Sequence, residues 1–339
     1  MHLLNLLLST SLLGLSFATP KPKLYWEVLP STPDVPRQEH TTVAIDGVLY
    51  VLGGILPDPS ATPAPVNTTS LVQAYDIRTH KWSRTASMPL PLNHPNVVAV
   101  SGKLYVLGGL TPDPTGEVWE AIPDCFVYDP KRNSWKRVAS MPINQARGSA
   151  AMGVVGSKIY LAGGVRSLAL TGERFQDTVA VVTSFDTVTG KWSVLESLPE
   201  GRDHAGAVIF NNCFYVVGGR FQGQRNVRGT VFVLDLSNPK RGWKSLATMP
   251  TPRGGIAAAL VAGKIYTFGG EGNPAEGSNG VFNETEVYDI KRNFWQKLEP
   301  MRLPRHGTSA FTVNRKIYIP GGGVLEGGAP VNDFDAFVP

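Results

Sequence analysis

The 339-residue chain has two cysteines, no run of five or more basic residues and, past its first twenty positions, no apolar stretch long enough to cross a bilayer. Two cysteines cannot staple a chain of this length, so the fold must rest on a buried core. With 32 Lys and Arg against 27 Asp and Glu, the net charge of +5 is small and dispersed, which argues against a nucleic-acid partner. Gly-x-Ser-x-Gly, the P-loop, and a GxGxxG between strand and helix are all missing, which removes the common hydrolase and nucleotide-binding readings. What the chain has in quantity is turn chemistry: 36 Gly and 27 Pro, beside a hydrophobic content of 42%. That combination predicts many short strands joined by tight turns.

Residues 3 to 17 are apolar and uncharged, and Ser16-Phe17-Ala18 puts small residues where a signal peptidase reads them. The expectation is a signal peptide over 1–18, cleavage after Ala18, and a mature chain of 19–339 in the secretory lumen or outside the cell. Met1-His2 lacks the usual basic residue, but a membrane anchor needs ~20 apolar residues and Pro20-Lys21 ends the stretch too early. No membrane span is expected after cleavage. Asn67-Thr68-Thr69 and Asn283-Glu284-Thr285 are sequons, so Asn67 and Asn283 are candidate glycosylation sites.

Comparing the chain with itself at a period of 50 to 55 residues is the most informative step. DGVLYVLGG (46–54), SGKLYVLGG (101–109), GSKIYLAGG (156–164), NNCFYVVGG (211–219), AGKIYTFGG (262–270) and NRKIYIPGG (314–322) are one motif repeated six times. Trp26, Trp82, Trp135, Trp192, Trp243 and Trp295 each stand 26 to 28 residues before the next Gly-Gly. Between them falls an aromatic or leucine followed by Asp: Tyr75-Asp76, Tyr128-Asp129, Phe185-Asp186, Leu234-Asp235, Tyr288-Asp289 and Phe334-Asp335.

This pattern resembles the kelch repeat over essentially the whole mature chain. The resemblance implies a six-bladed β-propeller, all-β, each blade a four-stranded antiparallel sheet. Trp26 precedes the first Gly-Gly and no Trp follows the last, so the strand around Leu24–Leu29 is expected to be the outer strand of the final blade, closing the ring. The repeated Tyr and Trp read as core between blades, and the Tyr-Asp aspartates as acceptors for the following turn. Cys125 and Cys213 fall on non-adjacent blades and read as buried free thiols.

Length varies mainly in the connections between strands 2 and 3, which open on one face of the ring, here called the top. On that face, sixteen residues before each Gly-Gly, stand Arg37, Leu92, Arg147, Arg202, Arg253 and Arg305. His40, His94, His204 and His306 lie within three residues of that position, and Glu39, Asp203, Arg220 and Glu271 should share the rim. The candidate ligand-binding set is therefore Arg37, His40, Arg147, Arg202, Arg220, Arg253, Arg305, His306 and Trp119, with His94, His204 and Glu271 as catalytic candidates. For the arginines a structural role, satisfying loop carbonyls, is the alternative. Trp119 lies outside the repeat, in a loop, where it would stack on a ligand or cap a blade edge.

Secreted kelch propellers similar to galactose oxidase use copper held by two His, two Tyr and a Tyr-Cys crosslink. Here every Tyr has a place in the repeat or beside Trp26, and no Cys has a partner, so that chemistry is not expected. The His residues have no i, i+2 or i, i+4 spacing, so no metal and no other cofactor is expected either. The leading expectation is a monomeric secreted propeller binding an oxygen-rich anionic or phenolic small molecule on its Arg/His face. It resembles orphan kelch proteins encoded among fungal metabolite enzymes, which implies an accessory or tailoring role in secondary-metabolite biosynthesis. Any enzymatic step would be proton transfer, cyclisation or isomerisation. The alternatives are a non-catalytic scaffold for a protein partner, and a sugar mutarotase in which Glu39 or Glu271 works with Arg202 or Arg220.

Overall fold

The computed structural model describes residues 24–62, 64–170 and 175–339; the expected signal peptide and its cleavage site lie outside them. Six antiparallel blades stand radially around an axis: five are four-stranded sheets, and blade 2's four strands are joined by two more from blade 3's top connection into a six-stranded sheet. Blade 1 runs Thr41–Ile45, Val48–Leu52, Val72–Asp76, Lys81–Arg84 from the axis outward, and blades 2 to 5 repeat the order up to Phe294–Lys297. Blade 6 takes three strands from the C-terminal end, Phe311–Val313, Lys316–Pro320 and Phe334–Val338. Its outer strand is Tyr25–Val28, paired antiparallel with Phe334–Val338 in the register Tyr25 to Val338, as the orphan Trp26 predicts.

A lone sheet of this kind leaves both faces apolar, and the blades solve that by stacking. Six hydrophobic clusters fill the six gaps between neighbouring blades, each containing residues from both sides. The repeat tryptophans sit at these gaps, and each indole N–H donates to a backbone carbonyl of the preceding blade. Trp82 bonds Pro30 at 2.9 Å, Trp135 bonds Ala86 at 2.9 Å and Trp295 bonds Ala247 at 2.8 Å. Trp26 makes the sixth such bond to Glu299, at 3.3 Å, across the closure. Asp76, Asp129, Asp186, Asp235 and Asp289 accept backbone N–H groups of the turn that follows each.

Two sequence expectations need correction here. Phe334-Asp335 is not the sixth Tyr-Asp pair: the residue facing both Ile317 and Trp26 is Phe337, so the motif sits three residues later, with Val338 in place of Asp. Cys125 is buried, its thiol pushed up to about 12 by burial, but Cys213 is half-buried. Both are free thiols, as expected.

The top connections are more ordered than loops. In blade 2 strands Lys103–Pro112 and Val118–Asp129 continue past the blade, and Val118–Glu120 pairs with Ser167–Ala169 from blade 3. Trp119 therefore lies on a strand, not in a loop. Smaller hairpins rise from blade 1 (Ile55–Pro57 with Val66–Thr68) and blade 6 (Gly323–Leu325 with Gly328–Pro330).

Candidate functional site

The five repeat arginines do not face the rim. Arg37, Arg147, Arg202, Arg253 and Arg305 are each at most 1% exposed, and each guanidinium turns into its own blade. Arg37 donates to the Leu71 carbonyl and to Gln73; Arg147 to Thr183 Oγ1 at 2.7 Å; Arg253 to Glu286 Oε2 at 2.7 Å; Arg305 to Asp335 Oδ2 at 2.8 Å. Arg202 bonds Glu200 and Thr230 and lies over the Phe232 ring. Gln73, Thr183, Phe232, Glu286 and Asp335 occupy one equivalent position on the third strand, and in blade 2, where Leu92 replaces Arg, that position is Phe126. These side chains tie the second and third strands of a blade together, so the carbonyl-satisfying alternative describes them and none can touch a ligand. His40 is likewise withdrawn: it bonds the Pro320 carbonyl at 3.0 Å, and burial, with Arg37 nearby, pushes it down to about 3.

The position two residues after each arginine does face the axis. Glu39, His94, Ser149, His204, Gly255 and Gly307 all have left-handed backbones, with φ of 54°, 48°, 50°, 52°, 63° and 59°. Their backbones form a closed ring: the N–H of each donates to the carbonyl of its counterpart in the preceding blade, Gly307 following Gly255 and Glu39 following Gly307, at 2.6 to 3.3 Å. The left-handed turn brings the side chains of Glu39, His94 and His204 together over the axis. Gly307 is glycine for space as well, since a Cβ there would collide with the Glu39 carboxylate.

A second set of equivalent positions, the residue after each Gly-Gly, sets the character of the space above this ring. Ile55, Leu110 and Val165 are apolar in blades 1 to 3, whereas blades 4 and 5 carry Arg220 and Glu271. The apolar side grows into a cluster of Ile55, Leu110, Trp119, Val165 and Leu168. The other side is a buried charge network. Arg220 bonds Glu271 and stands 3.3 Å from Asp203 Oδ1; Asp203 bonds His204 Nδ1 at 2.6 Å and Thr178; Glu271 also accepts from Gln224 and from the Gly327 N–H. Glu39 Oε2 stands 3.0 Å from His94 Nε2 and 4.0 Å from His204 Nε2. His306 donates from Nε2 to the Leu325 carbonyl and points Nδ1 between Glu39 and Glu271, at 3.6 and 3.4 Å. Trp119 packs on His94 with centroids 5.6 Å apart, and His94 on His204 at 4.7 Å.

Burial alone would raise these carboxyls, but their partners win. His94, with His204 and His306, holds Glu39 well below the usual carboxylate range; His204 and Arg220 lower Asp203; His306 and Arg220 lower Glu271. Burial and the Arg220 charge lower His204.

Below the ring the inner strands enclose an axial cavity of about 390 Å³; above it lies a pocket of about 50 Å³ between the Trp119–Leu168 wall and the charge network. Glu39, His94 and His204 border both. The blade 6 hairpin roofs the upper pocket, Glu326 at its tip pairing with Arg225 of blade 4 at 3.0 Å.

The structure thus brings together His94, His204, His306, Arg220, Glu271 and Trp119, leaves His40 at the wall of the axial cavity bonded to Pro320, and turns the five arginines into their own blades. The expectation against a metal site fails in its reasoning. Ring closure converges residues from blades 1, 2 and 4, which a test of local spacing cannot register, and Glu39, His94 and His204 place three ligand-type atoms within 4.8 Å of one another. Sequence reasoning missed Asn93, whose Oδ1 stands 2.7 Å from His94 Nδ1, Thr178, which donates to Asp203, and Gln176, which lines the upper pocket. The axial set was legible in principle, by aligning the repeats on the arginine and reading two residues on.

The fold and its axial cluster define a six-bladed propeller with a buried, charged site on the axis. The chain matches the KLHDC2/KLHL20/DRC7 Kelch-repeats domain over residues 15–164 and 166–338, and it belongs to the kelch-repeat family. It is 39% identical to Kelch-like protein terF of Aspergillus terreus over 93% of this chain and 68% of that one. It is 31% identical to Beta-scruin of Limulus polyphemus, over 83% of this chain and 30% of that one. With Kelch-like protein 34 of Homo sapiens it shares 28%, over 70% and 36%. The chain therefore spans about two thirds of the fungal relative and about a third of the other two. Among solved structures, "Structure of YjhT" superposes with a TM-score of 0.73 at 22% identity, covering 92% of this chain and 97% of that one, a likeness of fold.

Proposed function

We propose that this chain is a secreted or secretory-lumen propeller that binds an oxygen-rich anionic or phenolic small molecule above the axial ring, as an accessory or tailoring protein in secondary-metabolite biosynthesis. The observation that carries this reading is the two-sided pocket: an apolar wall of Trp119 and Leu168 faces His94, His204, Arg220 and Glu271, all buried. Such a site takes a molecule with a flat apolar body and a charged or polar oxygen edge. A pocket of about 50 Å³ admits little more than water, so the Glu326–Arg225 roof must open for such a ligand. His204, held on Asp203 through Nδ1, presents Nε2 as the base for a proton transfer or cyclisation. The 39% identity to Kelch-like protein terF of Aspergillus terreus supports a fungal setting.

The test is a metabolite profile of a strain lacking the gene, complemented with wild type or with Trp119→Ala/His204→Ala. The reading expects a shifted profile that wild type restores and the folded double variant does not. Full restoration by that variant overturns the pocket. Recovery of a stoichiometric protein partner that binds wild type and variant alike would establish the scaffold instead.

A further inference from the structure

We propose that Glu39, His94 and His204 hold one divalent transition-metal ion of the Zn²⁺ or Fe²⁺ kind at the floor of the upper pocket. Glu39 Oε2, His94 Nε2 and His204 Nε2 are the three converging atoms, all within 4.8 Å of one another. Two imidazoles and one carboxylate with open positions are a donor set that suits these ions. Donor atoms around a tetrahedral zinc lie about 3.3 Å apart for bonds of about 2.0–2.1 Å. The Glu39–His94 and Glu39–His204 separations of 3.0 and 4.0 Å bracket that spacing.

Three independent features point the same way. First, each imidazole is fixed through its other nitrogen: His94 Nδ1 faces Asn93 Oδ1 at 2.7 Å and His204 Nδ1 faces Asp203 Oδ1 at 2.6 Å. With Nδ1 carrying the proton, both Nε2 lone pairs aim at Glu39, and an outer carboxylate on a ligating histidine is a recurring support for bound metal. Second, Glu39, Asp203 and Glu271 face one guanidinium, Arg220, in a site that is nine-tenths buried or more. With His306 protonated between Glu39 and Glu271, and His94 and His204 neutral as ligands, one negative charge is left in a low-dielectric interior, and a divalent cation offsets it. Third, the ligands stand on three members of the hydrogen-bonded ring, so their backbones are already ordered before any ion arrives. The rival occupant is a proton on His94 donating to Glu39. The inference rests on these atoms alone and not on the organic ligand proposed above; with the ion in place His204 Nε2 is a ligand and no longer the base, and the ion instead would polarise an oxygen entering from the upper pocket.

The experiment uses the purified full chain, stripped with a chelator, then titrated with Zn²⁺ by calorimetry and with Co²⁺ by visible absorption. One saturable equivalent per chain and Co²⁺ ligand-field bands are expected. His94→Ala and His204→Ala should each weaken binding at least about a hundredfold, and Asp203→Asn about 10–100-fold. His40→Gln, outside the cluster, should bind as wild type does. Absence of saturable binding to the wild-type chain, or binding that survives loss of both histidines, overturns the proposal. His204 is shared by both readings, so the organic ligand is decided separately by Trp119→Ala alone in the metabolite profile, a change that leaves the three ligand atoms in place.

Discussion

At the residue scale, two glycines in equivalent places are constrained differently. Gly255 and Gly307 share the left-handed backbone, which costs an alanine about 1–2 kcal/mol. A Cβ at 255 would meet its nearest atoms at 3.4 Å, ordinary contact, whereas at 307 it would collide with the Glu39 carboxylate. Gly307→Ala should therefore lower unfolding stability by more than the backbone cost alone, about 2–3 kcal/mol, because the Glu39 carboxylate must move away from its partners. Gly255→Ala should stay near the backbone cost; urea denaturation of the pair checks this, with equal losses counting against the argument. The buried Arg253–Glu286 pair makes a second test, since both side chains are fully buried. Arg253→Met strands a buried carboxylate and should cost about 3–5 kcal/mol, while Arg253→Met/Glu286→Leu should recover most of that loss. The sequence misleads at this scale: arginines at regular spacing on one face look like a binding rim, but their direction is set by the third-strand partner, forty residues away or fewer, which the spacing does not reveal. The histidines separate the same way. His94 and His204 point at the axis because they sit two residues past the arginine position, and His40, one residue further, points into the gap beneath Pro320.

At the element scale, the strands inside the blades were readable because alternation, Tyr-x-x-Gly-Gly and Trp recur in all six, and each copy reinforces the others. The last blade shows the limit: Phe334-Asp335 mimics Tyr-Asp, and pairing with Tyr25–Val28 is what identifies Phe337 as the true counterpart. The top hairpins were not readable, because each occurs once in the chain with no repeat to reinforce it, and Val118–Glu120 of blade 2 pairs with Ser167–Ala169 of blade 3. The closing strand yields a prediction. Deleting residues 24–30 removes Trp26 from its packing on Phe268 and Phe337, at 5.6 and 5.0 Å between centroids, and strips the partner from Phe334–Val338. The truncated chain should lose its cooperative thermal transition. An unchanged melting curve would mean that blade 6 stands without its outer strand.

At the scale of the whole molecule, the site depends on closure and not on where the chain starts. The axial ring draws one residue from every blade, and each link joins a blade to the one before it, so Glu39 of blade 1 is bonded to Gly307 of blade 6 in the same way as His94 is to Glu39. Blade 6 takes its outer strand from the N-terminal side, in the antiparallel register that places Tyr25 opposite Val338. A short turn from Pro339 to Tyr25 would therefore make blade 6 a continuous meander like the rest. New termini can then be opened in an underside turn elsewhere, between Thr189 and Gly190, where the flanking strands pair Asp186 with Lys191 and the turn is solvent-facing. This permuted chain leaves every ring bond and every inter-blade cluster intact and moves the closure to blade 3. It should unfold cooperatively, within about 1–2 kcal/mol of the native order, the scale of a change confined to an exposed turn. It should also bind whatever the native chain binds on its axis. A permuted chain that folds yet loses binding would show that the site needs more than the closed ring, and one that fails to fold would show that the Tyr25–Val28 strand acts in assembly as well as in closure.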